Sequence, residues 1–238
     1  MNRKVTLRGQ LNTFDTEKPK AILSWSSGKD SAMAMYRVAA AKKFEVVTLL
    51  TTVSEKFHRV SMHGAREELL EAQAKSLGIP LEKVAIPYPC PNVVYEEKMS
   101  NVLTLWKKRG VTHCIFGDLF LEDIRKYREA NLAKMDLMPV FPVWGKDTAS
   151  LAREILNAGF KAVITCVDPK KLHRKFAGRQ FDDELLKDLP PTVDPCGENG
   201  EFHTFVYDGQ IFGKPIPIEI GESVTRDGFQ FRDVLLKH

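Results

Sequence analysis

The stretch Ser26-Ser27-Gly28-Lys29-Asp30-Ser31 combines the residue types that hold a phosphate chain. An apolar run, Ala21-Ile22-Leu23-Ser24-Trp25, precedes it and reads as a buried strand, and a helix-forming run from Ala32 to Lys43 follows. A strand, a tight turn and a helix N-terminus bring backbone N–H groups together, and the helix dipole favours negative charge there. Lys29 adds a full positive charge, while Asp30 and Ser31 offer oxygens for a cap, a cation or a substrate. The spacing is not that of the common phosphate loop, because Leu23 stands where that motif has its first glycine and Asp30 follows Lys29. It is not the Gly-x-Gly-x-x-Gly of dinucleotide sites either.

A second dense stretch is Asp194-Pro195-Cys196-Gly197-Glu198-Asn199-Gly200-Glu201-Phe202-His203-Thr204-Phe205. Carboxylates such as Glu198 and Glu201 hold Mg²⁺, take a proton or position an amine, and His203 suits acid–base work near neutral pH. Read from the residues alone, the stretch is equally a solvated turn before a hairpin. Gly117-Asp118, at a strand end, would support a metal-bound triphosphate or simply cap the next element. Arg125, Lys126 and Arg128 would reach phosphate oxygens or form a solvated basic face. His58, His63, Arg66 and the run Lys170 to Lys175 read more simply as exposed residues.

These residues need elements to position them. Residues 1–19 are polar and read as an N-terminal arm. Strand and helix then alternate to residue 168, with strands expected over 44–53, 81–86, 111–116, 137–144 and 160–167. Helices are expected over 65–77, 122–134 and 148–157, with another capped by Asn92. That alternation means a doubly wound α/β fold, a parallel sheet with helices on both faces. Ligands of such a sheet bind beyond the carboxyl ends of its strands, where the 26–31 turn, Gly117-Asp118 and Asp168 all fall. The domain that carries the 26–31 turn is expected over 20–168. A smaller α+β region with hairpins and the substrate-binding residues is expected over 169–238.

Composition bounds the partners. The chain has 238 residues and a net charge of +4 from 35 basic and 31 acidic residues, too balanced to argue for nucleic acid. No apolar run approaches the ~20 residues of a membrane span, and the first residues lack the apolar segment of a signal peptide. Cys90, Cys114, Cys166 and Cys196 form no C-x-x-C pair, so neither a zinc ribbon nor a redox pair is expected. Free thiols in a reducing cytoplasm are the simplest setting.

The 26–31 turn resembles the PP-loop of the ATP pyrophosphatases, Ser-Gly-Gly-Lys-Asp-Ser, with Ser27 in place of the first glycine. Three further features join it: Gly117-Asp118, the segment Gly197-Glu198-x-Gly200-Glu201-Phe202-x-Thr204-Phe205, and the stretch from Glu71 to Leu81. Together they resemble the diphthine–ammonia ligase family over about residues 20–215. The resemblance implies an adenine nucleotide alpha-hydrolase fold, Rossmann-like, that splits ATP into AMP and pyrophosphate. An acceptor carboxylate would attack the α-phosphorus, and ammonia would displace AMP to leave an amide. Ser26, Ser27, Gly28, Lys29, Asp30, Ser31, Gly117 and Asp118 would bind ATP, with Asp30 and Asp118 on Mg²⁺. Lys29, Asp30, Glu198, Glu201 and His203 would carry the chemistry.

The implied partners are ammonia, an acceptor on an elongation factor or a small carboxylated metabolite, and a second copy of the chain as a homodimer. Neither a membrane nor nucleic acid is among them. Asn199 stands where the ligases have Gly, and His203 where they have Glu, departures that look like a divergent subgroup and fall where the acceptor should be read. Thiolation of tRNA and non-catalytic nucleotide sensing are the rival readings, and the scattered cysteines weaken the first.

Overall fold

Ala21 and Leu23 face one hydrophobic cluster and Ile22 another, because strand residues alternate between faces and helices cover both sides. The computed structural model describes residues 18–237, so the N-terminal arm lies almost wholly outside the described residues. The first sheet and its helices are β1 (Lys20–Ser24), α1 (Lys29–Ala41), β2 (Glu45–Ser54), β3 (Arg59–Val60), α2 (Glu67–Leu77), β4 (Leu81–Ile86), α3 (Asn92–Lys108), β5 (Val111–Ile115), α4 (Glu122–Ala133) and β6 (Met138–Val140). Residues of α1 and α2 pack with Ala21 and Leu23, whereas Leu103 of α3 and Leu132 of α4 pack with Ile22.

Five parallel strands run in the order β4-β2-β1-β5-β6. Short β3 pairs antiparallel with the last two residues of β2, beyond the end of β1. From β1 the chain winds outward through β2 to β4, then returns to β5 on the other flank of β1. The winding therefore reverses between β1 and β5, and a crevice opens at their carboxyl ends. Helix α1 starts at Lys29, three residues earlier than expected, so the turn and the helix share Lys29, Asp30 and Ser31. Asn92 is not the cap of α3; Pro91 holds that position and Asn92 donates to Glu96 a turn later.

The rest of the chain forms α5 (Thr148–Asn157), β7 (Lys161–Val167), a 3₁₀ turn at Arg174–Phe176, α6 (Asp183–Asp188), β8 (Phe202–Asp208), β9 (Ile218–Arg226) and β10 (Phe229–Leu236). These strands make an antiparallel sheet in the order β8-β7-β10-β9. The segment expected as the last parallel strand, β7, belongs to this second sheet, paired with β8 and β10 across the boundary expected near residue 169. Its nearly unbroken apolar run suits burial in either sheet, and only its partners distinguish the two. As expected, β9 and β10 form a hairpin, turning at Asp227-Gly228 with both residues at positive φ. One apolar cluster runs from Leu23 and Met33 to Phe202 and Phe205, so the two sheets share a core.

Candidate active site

The 26–31 turn is anchored from three directions. The Ser27 carbonyl accepts from Val206 N at 2.9 Å and from Gln73 Nε2 at 3.1 Å. Gln73, fully buried on α2, also donates to the Val206 carbonyl at 2.6 Å and accepts from Trp25 Nε1 at 2.8 Å. Lys29 N donates to Thr204 Oγ1 at 3.1 Å, and Ser31 Oγ donates to the Gly28 carbonyl at 2.9 Å. Ser27 itself sits at φ +70°, the left-handed region, with its hydroxyl buried and without a partner among the described residues. From β5, Gly117 closes on the same turn: a Cβ there would lie 2.7 Å from the Asp30 carbonyl carbon and 2.8 Å from Ser31 N. Only glycine allows the segment after β5 to approach the first turn of α1 so closely.

A crevice of about 190 Å³ lies over this turn. Ser26, Lys29, Asp30 and Ser31 form one wall, Gly117 and Asp118 a second, and Glu198 and His203 a third. The switch point and the 194–201 loop thus meet at one crevice. Lys29 is buried; its Nζ donates to Asp30 Oδ2 at 2.9 Å and to the Cys196 carbonyl, and lies 5.5 Å and 5.3 Å from the ring centroids of Phe181 and Phe202. Burial disfavours its charge, but Asp30, with Cys196 and Glu198, outweighs burial and raises its pKa. Burial likewise pushes Asp30 above the usual carboxylate range, against the pull of Lys29.

Glu198 crosses to the opposite loop, where its Oε1 accepts from Leu119 N at 2.8 Å. Burial pushes its pKa up to about 7, and the nearby Asp30 and Asp118 charges push the same way. Asp118 is gripped by Arg128 through both oxygens, so Arg128, one of the basic helix residues, does reach the crevice. Arg125 instead lies over the rings of Phe141 and Trp144 and pairs with Glu129.

Other residues fall elsewhere. Glu201 is buried beneath its own loop, accepting from Asp194 N at 3.1 Å and Asn199 Nδ2 at 3.2 Å, with its other oxygen lacking a partner among the described residues. Asp168 caps the turn after β7, accepting from Lys170 N, because its strand left the parallel sheet. Arg66 grips Asp233 of β10 with two hydrogen bonds, joined by Arg59. His63, read from sequence as an exposed loop residue, lines the crevice with its ring centroid 4.5 Å from that of His203. A Cβ on Gly28 would lie 2.9 Å from its Cε1. Burial lowers the pKa of His63 to about 4 and that of His203 well below the usual value, so both rings are neutral at pH 7. His203 is therefore not the acid–base group poised at neutrality that its type suggested. Gln73, within the 71–81 stretch, and His63, read from sequence as more simply exposed, owe these placements to partners far along the chain.

Among the described residues, no three His, Cys, Asp or Glu side chains gather closely enough to hold a cation alone. Asp30 Oδ1 is nevertheless buried without a partner, which fits one carboxylate ligand. Magnesium is commonly bound by one or two carboxylates together with substrate phosphates, so these residues fit a cation arriving with a phosphate chain. Asp118, with both oxygens on Arg128, is the weaker second ligand. No helix of the described residues is long and apolar enough to cross a membrane.

The diphthamide synthase N-terminal domain matches residues 19–134, and the diphthamide synthase C-terminal domain matches residues 147–233. The diphthine–ammonia ligase of Danio rerio is 27% identical over 236 residues, covering 88% of this chain and 90% of its own. That of Rattus norvegicus is 26% identical over 232 residues, covering 88% and 86%. That of Bos taurus is 25% identical over 231 residues, with the same coverage as the rat protein. With both halves matched in order, and full-length relatives carrying one activity name, the chain belongs to the diphthamide synthase family, that of the diphthine–ammonia ligases.

Proposed function

We propose that this chain is an ATP-dependent ligase that adenylates an acceptor carboxylate and converts it to an amide with ammonia. The acceptor suggested by the relatives' name is diphthine, and the family resemblance implies that an elongation factor carries it. The observation that carries the reading is the meeting of Glu198 with the 26–31 turn across one crevice at the switch point.

In the first step an acceptor oxygen attacks the α-phosphorus and the bond to the β-phosphate oxygen breaks, releasing pyrophosphate. The positive end of α1 at this turn and the Lys29 ammonium would neutralise the charge that develops on it. Asp30 would hold Mg²⁺ there, which when bound supplies further neutralisation of the leaving group. In the second step the ammonia nitrogen attacks the acyl carbon and AMP departs. The attacking nitrogen must shed a proton, and Glu198, which titrates at about 7, suits its acceptance. Glu201 acts one step back, bracing the loop that carries Glu198. Thiolation of tRNA gains nothing from the site: Cys196 is buried, burial holds its thiol far above the usual pKa, and its S–H faces the Thr148 carbonyl. Its four free cysteines suit a reducing cytoplasm.

The test follows α- and γ-labelled ATP with the diphthine-bearing factor and ammonium present. AMP and pyrophosphate should appear in step with amide formation. ADP, or AMP release indifferent to the acceptor, would overturn the reading.

A further inference from the structure

A groove of about 380 Å³ runs between α3 and α4 over the end of β5. Phe116 and Arg128 line both this groove and the crevice over the 26–31 turn, so the two spaces adjoin. Leu103 and Leu132, both buried, give the groove an apolar floor together with Met99 and Met135. Such a floor covers methyl groups and leaves N–H donors without partners.

Two tyrosines stand in its walls, Tyr95 of α3 and Tyr127 of α4. Phe116 already meets the Phe141 ring at 5.5 Å and the Arg128 guanidinium at 4.3 Å, whereas among the described residues neither tyrosine ring has such a neighbour. The Tyr127 hydroxyl donates to Glu96 Oε1 at 3.0 Å, which also accepts from Asn92 Nδ2 at 2.8 Å, so that carboxylate is held in place. Four charged side chains line the groove: Glu96, Glu97, Arg128 and Lys134. Asp118 of the crevice neutralises Arg128 through two hydrogen bonds, and the exposed Lys134 donates to Asn131 Oδ1 at 2.8 Å. Among the described residues neither glutamate makes an ion pair. Two carboxylates thus stand against one solvated ammonium, and the remaining charge is negative. Aromatic faces beside carboxylates attract a cation, and an apolar floor selects a methylated ammonium over a strongly hydrated primary amine.

We propose that this groove is a ligand subsite opening on the crevice, and that Tyr95, Tyr127, Glu96 and Glu97 there bind a methylated ammonium carried by the acceptor. Its role in catalysis rests on the ligase reading; its ligand chemistry does not. The first test therefore needs no turnover, with the full chain carrying labelled methionine methyls and observed by NMR. Choline is the probe, and its control is the neutral alcohol of the same shape, with a tert-butyl group in place of trimethylammonium. Choline should shift the Met99 and Met135 methyl signals and bind about tenfold tighter than the alcohol, the size of a desolvated cation–π contact. Tyr127→Leu should weaken choline about tenfold and leave the alcohol within about threefold. Glu97→Gln, a substitution at an exposed position, should weaken choline about threefold. The alcohol binding as tightly as choline, choline binding indifferent to both substitutions, or no binding of choline would overturn the proposal.

The second test measures acceptor-dependent AMP formation. Choline should compete with the acceptor and not with ATP, and Glu97→Gln should raise the acceptor KM about threefold with kcat and ATP affinity unchanged. Competition with ATP, or weaker ATP binding by either variant, would assign the groove to the nucleotide and overturn the proposal. Choline binding by a chain that never forms AMP would sink the ligase reading and leave the cation site standing.

Discussion

The backbone amide of Lys29 donates to the hydroxyl of Thr204 at 3.1 Å, across 175 positions of sequence. The first turn of α1 is thus set by β8 as much as by its own strand. Thr204→Val keeps the shape of the side chain but leaves the buried amide without a partner. The variant should unfold at lower urea, with a loss of about 1–3 kcal/mol, and should bind ATP more weakly because the turn is no longer held. Unchanged stability together with unchanged affinity would mean that β8 does not set the turn.

Lys29 is buried between two aromatic rings and an acid. Lys29→Met preserves most of the packing and removes the charge facing the phosphates. Calorimetry should show ATP affinity down by about a hundredfold or more, about two charge-assisted hydrogen bonds. Affinity within threefold of wild type would place the triphosphate elsewhere.

Glu198 titrates at about 7 in the folded chain, above the ordinary 4.5. A carboxyl raised on folding binds its proton more tightly in the native state, so stability falls as pH rises from about 4.5 to about 7. Glu198→Gln should remove that decline in urea midpoints. It should also remove a limb with an apparent pKa near 7 from the pH–rate profile of amide formation, with kcat reduced about 10²-fold and ATP binding spared.

His63 shows the opposite sign. Its pKa drops from 6.5 to about 4 on folding, so the unfolded chain takes the proton first and stability is lost as pH falls through that window. His63→Asn keeps a polar side chain that cannot titrate there and should flatten the acid limb of the stability curve. An unchanged slope would mean that the imidazole is open to water.

Ser27 occupies a left-handed conformation with an unpartnered hydroxyl. Ser27→Gly relieves that strain, about 1–2 kcal/mol, against a smaller entropic cost for glycine. The expected net gain is roughly 0.5–1 kcal/mol, read as a higher urea midpoint with ATP affinity retained. A lower midpoint would show that the serine side chain has a packing role.

By itself the sequence determined what local pattern can determine. The apolar run before Ser26, the helix after it and the alternation that follows specify strand–turn–helix units, because burial periodicity and turn chemistry are properties of neighbouring residues. The turn at Ser26 to Ser31 between strand and helix was legible for the same reason, and so was the hairpin turning at Asp227-Gly228. Tertiary structure alone decided what depends on distant partners. It sent β7 to the antiparallel sheet, since a buried apolar strand reads alike in either sheet until its neighbours are known. It committed Asp118 to Arg128, turned Glu201 under its own loop, and brought His63 and Gln73 onto the phosphate turn. Each of those outcomes is a hydrogen bond, stacking contact or burial between segments that the chain order keeps apart, and no spacing within one segment encodes it.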